Sequence, residues 1–76
     1  MELLGEAASP DGTHFRLYYL QDQKGRRGWI LGPTHPPVDG TQRLELVAEF
    51  ACTGLAHARE LVASECQRRG WEVAWR

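Results

Sequence analysis

The apolar positions of this 76-residue chain change period near its C-terminal end. Leu55, Ala58, Leu61, Val62 and Cys66 recur at helical spacing, while Arg59, Glu60 and Gln67 fall away from that stripe. Trp71, Val73 and Trp75 then alternate with Glu72 and Ala74, the period of two that belongs to a strand. Gly70 stands between the two periods as the residue able to end a helix in the left-handed region. Arg68 and Arg69 complement the negative end of the helix dipole, and Thr53 is placed to cap the first free amides with its hydroxyl. The pattern predicts a helix over about 54–69 and a strand over 71–75.

Upstream the pattern is that of strands. Phe15, Leu17 and Tyr19 share one face of the segment 14–20, with His14, Arg16 and Tyr18 on the other, and the aromatic content favours a strand. Residues 2–8 are more weakly patterned, but they run into Ser9-Pro10-Asp11-Gly12, a tight-turn sequence that strands should flank. A polar connection over 21–27, with Lys24, Arg26 and Arg27, leads into the apolar Gly28-Trp29-Ile30-Leu31-Gly32, which predicts a second hairpin. Residues 42–50 fit a strand through Leu44, Leu46, Ala48 and Phe50, or a helix through Leu44, Val47, Ala48 and Ala51. Glu45 and Glu49 on the alternate face favour the strand. Between them, Pro33, Pro36 and Pro37 deny ladder and helix hydrogen bonds to residues 32–40. A loop longer than the usual ~4–6 residues is a sign of a crossing over the sheet or of a functional loop.

A helix of about 16 residues at ~1.5 Å each spans ~24 Å, close to seven strand residues at ~3.3 Å. Strand 42–50, helix and strand 71–75 therefore have the proportions of a right-handed parallel crossover. The expected fold is α+β: a single domain in the order β-β-β-β-α-β, a twisted sheet of about five strands with one helix packed on one face. The other face is left solvated or free for contact.

Size and charge narrow the uses of such a domain. A chain this short barely offsets its ordering entropy with one core, so self-association or a partner surface is a reasonable further source of stability. Nine Lys and Arg against ten Asp and Glu leave a net charge of −1, which argues against a general nucleic-acid coat protein. No apolar run approaches the roughly 18 residues of a membrane span, and Met1-Glu2-Leu3-Leu4-Gly5-Glu6 lacks the basic start of a signal peptide, so a cytoplasmic protein is expected. If the residues between Cys52 and Cys66 are mostly helical, their Cα atoms stand roughly 20 Å apart, beyond the ~7 Å reach of a disulfide.

No residue set rises to a catalytic, cofactor or metal motif. His14, His35, His57, Cys52 and Cys66 show no zinc-ligand spacing, and Cys52 with His57 lacks a group to orient the imidazole as a base. Gly25, Gly28 and Gly32 precede no helix that would cradle a phosphate. Glu45 and Glu49 lie roughly 13 Å apart along an extended strand, too far for an acid–base pair. Exposed aromatic and arginine residues are the more informative signal, because Trp, Tyr and Arg dominate binding hot spots. The leading expectation is a non-enzymatic accessory or regulatory module that docks through an open sheet face or edge, on a protein partner or on itself as a homo-oligomer. Tyr18, Arg27 and Trp29 are the contact residues, and Trp75 is a further candidate for exposure. The alternative is a small RNA- or single-stranded-DNA-binding domain that uses Lys24, Arg26, Arg27 and Trp29, with phosphates on the cations and bases stacked on the indole. Neither reading requires a small-molecule cofactor or a membrane.

Overall fold

The computed structural model describes every residue except His35 and Val38. Its elements are β1 (Glu2–Ala8), β2 (His14–Asp22), β3 (Gly25–Pro33), β4 (Leu44–Ala51), α1 (Leu55–Arg68) and β5 (Glu72–Trp75). The five strands form one sheet in the order β4-β3-β2-β1-β5 with one helix packed on it, so the fold is α+β in the expected element order. Every neighbouring pair is antiparallel. β4 and β5 consequently run in the same direction, but three strands separate them. The crossover between adjacent parallel strands is thus replaced by a helix that spans the sheet from one edge to the other. Hairpins already occupy both sides of β2 and β3, so β5 can pair only at an outer strand, and it joins β1 and leaves the outer side of β4 unpaired.

The two tight turns follow from local chemistry. At Ser9-Pro10-Asp11-Gly12, the Gly12 amide donates to the Ser9 carbonyl at 2.9 Å, and Gly12 takes φ 89°. The Asp11 carboxylate accepts from the Ser9 hydroxyl and the Thr13 amide, and these bonds hold its carboxyl near pKa about 2 instead of 3.8. The second hairpin is longer than the sequence pattern predicts: pairing continues to Asp22 opposite Gly25, and only Gln23 and Lys24 form the turn. Ladder hydrogen bonds are indifferent to side-chain polarity, so polar arms extend a hairpin that hydropathy alone would end. The long loop after Thr34 joins neighbouring strands and does not cross the sheet. Its base is closed by the Thr34 amide on the Arg43 carbonyl at 2.7 Å.

Residues 44–51 are a strand, but not with a single apolar face. Ala48 pairs with Ile30 and Leu46 with Leu31, so Val47 is an extra residue in a β-bulge. One inserted residue reverses the facing of everything beyond it. Ala48 and Phe50 stay on the helix side, whereas Leu46 and Leu44, opposite Leu31 and Pro33, turn to the other side. Glu49 and Glu45 are parted in the same way.

The core lies between sheet and helix. Leu4, Ala7, Leu17, Ile30, Val62 and Cys66 form one buried cluster, with Phe15, Tyr19, Phe50, Trp71, Val73 and Trp75 packed around it. Close approach of the helix is possible because Gly28 faces it: a Cβ there would sit 3.2 Å from Val62 and 3.4 Å from Ala58. Phe15 stacks on Trp71 with centroids 3.9 Å apart, over the bare Gly32, where a Cβ would come within 2.7 Å of the Phe15 ring. Cys66 is a core residue, and burial pushes its thiol pKa up; both cysteines are free. No helix is long and apolar enough to cross a membrane among the described residues.

At its start α1 departs from expectation: the N-cap is Gly54 and it makes no side-chain cap bond. Thr53 instead donates its amide to His57 Nδ1 at 3.0 Å. The end is as predicted. Gly70 takes φ 74°, its amide bonds the Gln67 carbonyl at 3.1 Å, and the Trp71 amide bonds the Cys66 carbonyl at 2.9 Å, which together satisfy the last carbonyls.

Arg68 and Arg69 both turn back onto Glu65, with Arg69 Nε 2.6 Å from Oε2. The two guanidinium groups lower the Glu65 pKa from 4.5 to about 2, Arg68 more than Arg69. A depressed carboxylate adds stability above its unfolded pKa and loses it as pH falls through the folded one. Acid unfolding should therefore steepen between pH 4.5 and about 2, and Glu65→Gln should flatten that part of a urea-midpoint profile.

Candidate functional site

The helix covers one side of the sheet and leaves the other open. In β3 the alternation is strict: Gly28, Ile30 and Gly32 are buried on the helix side, while Arg27, Trp29, Leu31 and Pro33 face away. The register carries this through the sheet. Leu3, Tyr18, Trp29 and Glu49 lie in one cross-strand row; Glu6, Arg16, Leu31 and Leu46 in the next; Leu20, Arg27 and Ala51 on its other flank. The three expected contact residues, Tyr18, Arg27 and Trp29, are therefore neighbours on the open side, with Tyr18 directly opposite Trp29.

Trp29 and Arg27 are held in place by carboxylates. Trp29 Nε1 donates to Glu49 Oε2 at 2.6 Å, and Arg27 Nη1 donates to the same oxygen at 3.1 Å. Arg27 Nη2 reaches Asp22 Oδ2 at 2.5 Å, and its guanidinium carbon lies 5.4 Å from the Trp29 ring centroid. The Arg27 Nε is buried without a hydrogen-bond partner. The result is an indole fixed by a strand-to-strand hydrogen bond and overlain by a cation whose charge two acids already offset. Fixing such side chains before contact removes part of the ordering cost of association.

Leu44 and Leu46 were missed as site residues, because the strand pattern assigns them to the face of Ala48 and Phe50. They are 48% and 49% exposed, the high values of a face that also carries Leu3, Leu20 and Leu31. No residue type around Val47 marks a bulge, so the sequence holds no local signal that would have found them.

The cations of the basic hairpin are not gathered. Lys24 is at the turn, and Arg26 turns to the helix side, where Nη1 donates to the Thr53 carbonyl at 2.6 Å. Only Arg27 joins Trp29 on the open side. Nor is Trp75 on that side: it is half-buried against the core beneath Arg59, at 4.6 Å, as Trp71 lies beneath Arg69 at 5.0 Å.

The soft ligands are dispersed. Cys66 is in the core, Cys52 in the β4–α1 link, His14 at the end of the open face and His57 in the first turn of α1, oriented by Thr53 and not by Cys52. His35 lies outside the described residues. Depressions of about 210 Å³ beside Glu6 and His14, about 240 Å³ beside Leu55 and Arg59, and about 290 Å³ beside Ser9 and Gly70 lie below or at the edge of the ~300 Å³ at which small-molecule sites begin. In comparison with known proteins the chain matches no family model, no curated protein and no solved structure.

Proposed function

We propose that this chain is an accessory or regulatory docking module, not an enzyme, which binds a protein surface through the open side of its sheet. What carries this reading is the apolar and aromatic ground formed by Leu3, Tyr18, Trp29, Leu31, Leu44 and Leu46 on a side that no helix or strand covers among the described residues. Contiguous patches of that kind on a soluble chain mark interaction surfaces, and Trp29 with Tyr18 beside it is the type of anchor that dominates binding energy. The face is favoured over the edges. β4 exposes one edge, but the Val47 bulge and the flanking Glu45 and Glu49 are devices that discourage strand addition, and β5 has only four residues.

The nucleic-acid alternative has less support, since phosphate binding needs convergent unmatched cations. Arg26 is engaged with a backbone carbonyl and Arg27 with two carboxylates. Both readings are separated by one set of measurements. Captured from its native source with nuclease present, the tagged chain should retain a stoichiometric protein, a second copy included. The Leu44→Glu/Leu46→Glu double variant should lose it while keeping its circular dichroism and a cooperative melting transition, at a midpoint lowered by the lost association. Equal retention by the folded double variant would overturn the docking reading. A labelled oligonucleotide should show no shift at low salt; a shift whose salt slope falls by about two contacts in Arg26→Ala/Arg27→Ala would instead establish the alternative.

A further inference from the structure

We infer that the occupant of the open face is a second copy of this chain, packed face to face, so that two sheets lie between two outer helices. Face-to-face pairing presupposes the docking reading above and names its partner.

Area is the first reason. The molecule measures 36 × 27 × 19 Å along its principal axes. The short dimension is what one sheet and one helix take, so the open face is bounded by the two long ones. An ellipse on those axes encloses ~760 Å², close to the ~800 Å² that each partner contributes to a stable interface of standard size. That outline is an upper bound on the open face, and a second sheet of the same dimensions is the surface that covers it without overhang. Sheets pack in this way at ~10 Å when their facing residues are apolar.

Charge is the second. The open side carries both signs: Arg16 and Arg27 against Glu6, Asp22, Glu49 and Glu72. Arg27 is matched by Asp22 and Glu49, whereas Arg16, Glu6 and Glu72 take part in no salt bridge among the described residues. A strongly acidic or basic partner would call for a face of one sign. A two-fold contact brings the same patch against itself, so a surface that holds its own counter-charges is suited to it.

Need is the third. Among the described residues, the largest side chains buried completely are Leu17, Ile30, Val62 and Cys66. Glycines at Gly5, Gly28 and Gly32 occupy buried positions of the sheet where larger neighbours of most domains would add area. Domains this small with so few buried groups obtain further burial from a disulfide, a metal or association. The cysteines here are free, and the uncovered leucines are on the side that association would bury.

Sedimentation velocity from low micromolar to hundreds of micromolar tests this. The wild-type chain should sediment at twice the chain mass. Leu46→Glu should raise the dimer dissociation constant by roughly a hundredfold or more, because the two-fold axis buries two added carboxylates, one from each copy. Leu55→Glu, equally exposed at 44% but on the helix, should remain dimeric. A wild-type monomer throughout the range overturns the self-pairing and leaves the docking reading to the capture measurement with a different protein. A dimer that survives in folded Leu46→Glu, or is lost in Leu55→Glu, places the contact elsewhere and overturns both. Should Leu46→Glu fail to fold, fluorescence decides: dilution should red-shift the wild-type emission and leave Trp29→Phe unchanged, since Trp71 and Trp75 face the helix. A shift that persists in Trp29→Phe overturns the pairing.

Discussion

Leu17→Ala is expected to lower the free energy of unfolding by about 3–5 kcal/mol, read as a fall in urea midpoint without a change of slope. Leu17 is fully buried on the central strand, between Gly5 of β1 and Ile30 of β3 and beneath α1. The cost of such a truncation is the lost transfer energy plus the cavity that neighbours fail to fill. Here one flanking position is a glycine with no side chain to move, and the overlying helix is braced at Gly28 against Val62 and Ala58. Collapse is therefore hindered from two directions, which puts the variant in the upper half of the range for leucine. For a chain of this length the total stability is of order 4–11 kcal/mol, so the variant should lose roughly a third or more of it. A loss below about 1 kcal/mol would show that the helix does not seal this part of the sheet.

Gly5→Ala is expected to cost about 2–3 kcal/mol through a different route, overpacking against backbone. A Cβ on Gly5 would press on the Ala74 carbonyl oxygen and lie 3.0 Å from the Trp75 Cα. Those are main-chain atoms of the strand paired with β1, so no rotamer change relieves the contact. The strand must draw back, and with it goes the bond from the Arg76 amide to the Leu4 carbonyl at 2.9 Å. Hydrogen exchange should accordingly show loss of protection for residues 73–76 well beyond that of β2 and β3, and emission from Trp75 should shift to the red as its packing loosens. Uniform loss across the sheet would mean that β5 is not a separable edge.

These two variants act on the helix side and at the β1–β5 seam, while the docking variants act on the opposite side. The contrast is useful in practice. A protein that loses its partner together with its cooperativity has lost its fold, whereas Leu44→Glu/Leu46→Glu should lose the partner, and the stability that association adds, while still unfolding cooperatively. Trp29 belongs with the second group: its indole is anchored by Glu49 across one strand pair and contributes nothing to the buried cluster.

Taken alone, the amino-acid sequence determined the elements and most of their order. The helix, its glycine stop and the strand after it were legible because period, terminal cations and Gly70 act within a few residues of one another. The turn at residues 9–12 was legible for the same reason, and so was the alternation that places Tyr18 opposite in facing to Leu17. Tertiary structure decided what depends on register between distant segments. Which strand β5 joins, whether the loop after Thr34 crosses the sheet, and whether Trp75 meets solvent or Arg59 are settled only when the strands pair. The largest such decision is the bulge at Val47. It follows from fitting β4 onto β3 while Phe50 and Ala48 reach the core, and it turns Leu44 and Leu46 outward. A strand's own pattern records which residues alternate but not where one is skipped. For that reason two leucines of the candidate site became visible only in the folded chain.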